Sequence, residues 1–270
     1  METFCFTTND DHKLHGVFLP AKRDPPQHPL IMLHGGGPDH KSLLPLAESL
    51  CINRNIILPD VRGYGKSVCY DKTCYTWNRY AEDVAELLHH FNIKEAVIGG
   101  TGIGSTISLK TSILYPKIVK GLVLISVEDI EDDVAKEAEI LFFEKYMKQL
   151  QEDGLSAAWE SILPQMSAII GEMVRDGIKR SDAQSILAAG SIVYDRAFKN
   201  VDELAVINVP TLLIPGGDVR HPSELANQIS RKISNATLST VGISDDIRTI
   251  HEFAQVFYPI IYNFLKTNNL

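Results

Sequence analysis

The chain has no apolar run approaching the ~18 residues that a membrane-spanning helix needs. It also has no basic start followed by an apolar stretch, so neither a membrane segment nor a secretory leader is expected. It lacks any Lys/Arg cluster of the kind that tracks phosphates, and its net charge is -8, so nucleic acid is not an expected partner. The four cysteines, Cys5, Cys51, Cys69 and Cys74, are scattered. Cys69 and Cys74 have no second pair to complete a zinc site. The expectation is reduced thiols in a cytoplasmic protein, with no metal and no cofactor. Repeats and low-complexity runs are missing too.

What is present is 270 residues, 44% of them hydrophobic, enough for one large α/β core. Residues 4–7 and 14–19 alternate apolar and polar around Asn9-Asp10-Asp11, a hairpin pattern. A Pro-rich, charged loop is expected at 21–29. Strands at 30–33, 55–58, 96–99 and 122–126 then alternate with helices at 43–50, 77–91 and 103–114. That rhythm predicts a parallel sheet covered on both faces. Residues 128–196 break it, reading as helices at 135–150, 155–163, 168–176 and 181–194 with no strand between them. The sheet resumes at 211–214 and 236–241, with helices at 223–233 and 252–265. The expected organisation is a core from 1–127 and 199–270 and an inserted helical cap at 128–198.

The stretch 97–105, VIGGTGIGS, reads as a buried strand, a glycine corner and a helix. A corner of this kind aligns with G-x-S-x-G, in the frame Gly100-Thr101-Gly102-Ile103-Gly104. Three more features stand around it in order: His34-Gly35-Gly36-Gly37 after a strand, Asp60-x-Arg62-Gly63-x-Gly65-x-Ser67 after the next, and Pro210-Thr211-Leu212-Leu213-Ile214 leading to Asp218. With these, nearly the whole chain resembles the α/β-hydrolase-fold superfamily. The resemblance implies a mostly parallel, doubly wound sheet with an inserted cap, half an oxyanion hole at Gly35–Gly37, a nucleophile at 102 and a triad acid at Asp218. It also implies a histidine base after the last strand. Two positions depart from it: residue 102 is Gly, and the loop 242–250 holds no His. Asp245 stands near the base position, and His251 is an alternative base only if the register slips by several residues.

Glycine offers no attacking atom, so the covalent route of acyl transfer is closed. Thr101 and Ser105 flank the corner and read as packing and capping residues. Backbone N–H groups of Ile103 and of the 35–37 loop, with the helix start behind them, still favour an oxyanion or carboxylate. The expected ligand-binding residues are therefore His34, Gly35, Gly36, Gly37, Thr101 and Ile103, although His34 by itself reads as structural. His40 and His221 lie on loops near the expected pocket mouth, where either could serve a bound water as general base. Residues 97–127 are locally similar to the N-myc downstream-regulated family, whose members lack the triad. Gly99-Gly100-x-Gly102-x-Gly104 also looks like a dinucleotide loop, but no Tyr-x-x-x-Lys pair follows it. The expectation is a protein that binds a small, partly anionic organic molecule without serine-type hydrolysis. The alternatives are an active hydrolase with a non-standard base, or one whose natural Ser at 102 was replaced, and an interaction module. The cap helices offer a lid, a homodimer surface, or both.

Overall fold

The computed structural model describes residues 1–23 and 26–270. β1 (Glu2–Thr7) and β2 (Lys13–Leu19) form the expected hairpin, and β2 lies antiparallel to β4 (Arg54–Pro59). From there every pairing is parallel, through β3 (Gln27–Leu33), β5 (Ala96–Thr101), β6 (Val119–Ile125), β7 (Thr211–Ile214) and β8 (Ala236–Leu238). The sheet order is β1-β2-β4-β3-β5-β6-β7-β8. The loop expected at 21–29 ends sooner, because β3 begins at Gln27; residues 24 and 25 lie outside the described residues.

Both faces of the sheet are covered, and the strands show it residue by residue. Ile31, Ile57 and Ile98 pack on the face shared with α2 (Trp77–His90) and α3 (Ile103–Leu114). Their neighbours Leu30, Ile56 and Val97 face the opposite way, toward α1 (Leu44–Leu50) and α9 (Ile250–Thr267). A strand buried on both faces needs apolar residues at every position, which is why these segments read as continuous apolar runs. In α2, Tyr80, Val84, Leu87 and Leu88 make one buried stripe, and the Thr76 hydroxyl caps its start by accepting from the Arg79 N–H.

Between β6 and β7 the chain runs through α4 (Asp133–Asp153), α5 (Leu155–Glu160), α6 (Ala168–Gly177) and α7 (Ala183–Ala189). These helices seat on the loop that follows β3. Arg180 grips Asp39 with two hydrogen bonds, at 2.6 and 3.0 Å, and the Trp159 ring lies against Gly37, whose φ of +95° a side chain would not readily take. After β7 comes α8 (Ser223–Ser230). Among the described residues no helix is long and apolar enough to cross a membrane, and the four cysteines are free.

Candidate functional site

The corner between β5 and α3 has the shape the sequence implied. Gly102 sits at φ +53° and ψ -125°, the only positive φ among the glycines of 99–104. Its N–H donates to the Ile125 carbonyl at 3.1 Å and its own carbonyl accepts from the Ser105 N–H at 2.9 Å. The other three glycines serve contact with the neighbouring backbone. A Cβ on Gly99 would strike Val123, and one on Gly100 or Gly104 would strike Leu33. That packing accounts for the glycine run without a dinucleotide. Ser105 is fully buried, its hydroxyl held by the Gly100 and Ile125 carbonyls at 2.7 and 2.9 Å, so it is no nucleophile. Ile103 opens α3, where a helix leaves N–H groups unpaired.

An imidazole does stand beside Gly102, and it comes from the loop between β7 and α8. Asp218 accepts from the N–H groups of Ser167, Arg220 and His221 and from the Ser167 hydroxyl, each at 3.0 to 3.1 Å. It also accepts from the His221 ring Nδ1 at 2.8 Å. This leaves His221 Nε2 pointing at the corner, 3.6 Å from where a Cβ on residue 102 would be. The loop can double back this tightly because Gly216 has no side chain: a Cβ there would overlap the His221 carbonyl. Gly216→Ala is therefore expected to destabilise the protein by about 2 kcal/mol and to pull His221 away from Asp218. A fall in urea midpoint and a changed imidazole NMR shift would check this.

The group that the sequence does not single out for this site is Glu128, three residues beyond the buried end of β6. It is reached through Ser126, and followed by Asp129, both non-glycine residues at φ +61°. The Glu128 carboxylate lies in the space that a side chain at 102 would use, with Oε1 2.9 Å from the Cβ position. Its Oε2 is 3.5 Å from His221 Nε2 and accepts from Arg220 at 3.4 Å. Arg220 is also bound in a fork to Glu139, at 2.7 and 3.0 Å. Burial disfavours a charged His221, but Glu128 on one side and Asp218 on the other outweigh it and push the imidazole pKa up to about 10. Burial likewise works against the Glu128 and Asp218 carboxylates, yet His221 holds both below the usual range. At neutral pH the site is an imidazolium held between two carboxylates.

Several expected site residues lie elsewhere. Asp245 and His251 are exposed and line no part of the cavity; the loop 242–250 contributes Ile243 instead. His221, three residues past Asp218, stands beside Gly102 instead, because the β7–α8 loop folds over the corner. His34 is fully buried and turned inward, its Nδ1 donating to the Gly35 carbonyl at 2.8 Å and its Nε2 accepting from the Val61 N–H at 2.9 Å. It therefore shapes the loop and lines no part of the cavity. Gly37 is taken up by Trp159, and His40 by Asp60 at 2.7 Å. Gly35, Gly36, Thr101 and Ile103 do line the cavity with Gly102, and Asp218 braces it from behind. The anion expected beside Gly102 finds that space held by the protein's own Glu128. Sequence reasoning names His221 as one of two loop histidines near the pocket mouth but misses Glu128, whose signal is an acid just past the end of β6.

The cavity beside Gly102 opens to solvent, and its walls are mainly Ile, Phe, Tyr, Trp and Met from core and cap. Residues 28–186 match the family model described as alpha/beta hydrolase fold. The chain is similar to the uncharacterized hydrolase YugF of Bacillus subtilis, 25% identical over 235 residues that cover 84% of this chain and 86% of that protein. Its fold is similar to a thermophilic esterase from Thermogutta terrifontis, with a TM-score of 0.78, 21% identity and 100% of both chains covered. It is also similar to MenH from S. aureus, with a TM-score of 0.81, 18% identity and coverage of 94% of this chain and 99% of that one. At these identities the two structures speak for the fold alone.

Proposed function

Because this chain belongs to the α/β hydrolase fold family, we propose that it is a member that holds a small, mainly apolar organic molecule between sheet and cap without serine-type acyl transfer. The observation that carries this reading is the Glu128 carboxylate beside Gly102, 2.9 Å from the Cβ position. It occupies the room a nucleophile would need. It also keeps His221 protonated, so the imidazole cannot accept a proton from an attacking hydroxyl near neutral pH. The scaffold around them is intact, with a braced acid–imidazole pair and a roomy apolar cavity. Such a site keeps binding and loses the covalent step.

A second reading retains catalysis. Glu128 lies beside Gly102, where a carboxylate can take a proton from a bound water or substrate, although His221 and Arg220 lower its pKa and make it a weak base. The two readings separate on a panel of p-nitrophenyl esters and amino-acid amides. The binding reading expects no burst, and a slow release that is the same in the wild type and in Glu128→Gln and His221→Gln. Its positive arm is a rise in melting temperature with apolar aromatic compounds. Turnover that disappears in Glu128→Gln, Asp218→Ala or His221→Gln defeats it and supports the second.

A further inference from the structure

The charged groups around the cavity do not balance. Arg220 pairs with Glu139 and Glu128, His221 with Asp218 and Glu128, and Lys136 with Glu131. Asp129 lines the same cavity, yet among the described residues no ion pair reaches it, and its Oδ2 is buried without a hydrogen-bond partner. Four further cavity groups are in the same condition: the hydroxyls of Ser126 and Tyr146, whose residues are 3% and 5% exposed, and the indole N–H groups of Trp77 and Trp159. Aromatic rings close over this space, among them Tyr64, Tyr146 and Trp159. Rings here already receive one cation: the Arg220 guanidinium lies 5.0 Å from the Phe142 ring centroid and 5.5 Å from that of Phe143.

We infer that the molecule bound in this cavity carries a protonated amine, which pairs with Asp129 while its apolar body lies against Tyr146 and Trp159. The inference rests on the ligand-binding reading above and names the class of ligand. An anion is disfavoured, because it would add a negative charge beside carboxylates that outnumber their cations. A divalent ion among Asp129, Glu131 and Glu139 is disfavoured as well: Arg220 forks both oxygens of Glu139 and Lys136 sits 3.0 Å from Glu131. An ammonium group takes Asp129 as its counter-charge and has the unpartnered Ser126 and Tyr146 hydroxyls as further acceptors in the same cavity. Burial, with Glu128, Glu139 and Glu131 nearby, pushes the Asp129 carboxyl pKa well above its ordinary value, and an arriving ammonium pulls it back down and favours loss of that proton.

The test is calorimetric titration of the full chain with three probes of one shape: 2-phenylethylamine, 2-phenylethanol and phenylacetate. The amine is expected to bind at least tenfold more tightly than the alcohol, with phenylacetate weakest. Titration at pH 7 in buffers of different ionisation heat is expected to show up to one proton released per amine bound. Asp129→Asn, which keeps the shape and suits the positive φ, is expected to bring amine and alcohol to within about twofold and to abolish the proton release. Alcohol binding without amine preference, or a preference that survives Asp129→Asn, overturns this inference and leaves the cavity reading in place. Asp129-dependent binding of Ca²⁺ or Mg²⁺ with no amine preference also overturns it. Failure of all three probes to bind counts against both the ligand-binding reading and this inference.

Discussion

A Gly102→Ser, Glu128→Ala double variant is expected to form an acyl-enzyme. With p-nitrophenyl butyrate it should release a burst of about one p-nitrophenol per protein and then turn over at least ~100-fold faster than the wild type, the lower end of what a positioned base contributes. The parts are already placed. His221 Nε2 is 3.6 Å from the Cβ position on residue 102, so a hydroxyl one bond further falls within hydrogen-bond reach, and Asp218 holds the other ring nitrogen at 2.8 Å. Serine at φ +53° costs on the order of 1–2 kcal/mol, which lowers stability without changing the corner. Gly102→Ser alone is expected to stay silent, because its Cβ meets Glu128 and the imidazole remains charged. Removing Glu128 clears the space and takes away the largest attraction that raises His221, while Arg220 keeps Glu139. The His221 pKa then falls from about 10, and the double variant's rate rises with pH as the imidazole loses its proton. Intact-mass spectrometry reads the adduct on the introduced serine. A folded double variant with neither burst nor adduct would mean that His221 cannot act as base from where it stands.

The reach of the sequence differs between the frame and the groups mounted on it. Strands buried on both faces announce themselves as apolar runs, and α3 was placed at Ile103–Leu114 because the glycine corner marks its start. Gly102 and Asp218 followed from local patterns at the ends of β5 and β7. His221 is legible only as one of two loop histidines near the pocket mouth, and Glu128 not at all, because their positions are set by contacts between distant segments. His221 faces the corner only because Gly216 lets its own loop fold onto it, and because Asp218 is gripped by Ser167 of the cap. Glu128 reaches Gly102 because β6 ends one strand over and the next turn, through Ser126 and Asp129, runs at positive φ. Motif order placed the base after the last strand, at Asp245 or His251. The imidazole that stands beside Gly102 comes instead from three residues past Asp218.

Arg62→Met is expected to lower stability by about 3–5 kcal/mol, and Arg62→Met with Asp83→Asn to recover much of that loss. Arg62 belongs to the Asp60-x-Arg62-Gly63 stretch, which sits near the corner in sequence pattern but serves architecture. Its guanidinium is fully buried, forked onto Asp83 at 2.9 and 2.7 Å and bonded to Asp10 at 3.0 Å, tying α2 to the β1–β2 turn. Burial alone lifts the Asp83 carboxyl above its ordinary pKa, and Arg62 is the main group working to keep it charged. Taking away the arginine strands that carboxylate; only Arg79, at 3.1 Å, still reaches it. Taking away both charges leaves a neutral pair of similar size, which is why the double variant should outlast the single one. Urea midpoints for the four members of this cycle measure the coupling. If the single and double variants melt together, the cost lies in the lost contact of Arg62 with Asp10 and the packing of its stem. The same neighbourhood explains the motif's companion: Asp60 accepts from the His40 N–H and ring and from the Lys66 N–H, fixing the turn behind Val61, which in turn donates to His34. A conspicuous run of charged and histidine residues is thus consumed in holding the loop that follows β3, and the groups that face the cavity come from less conspicuous sequence.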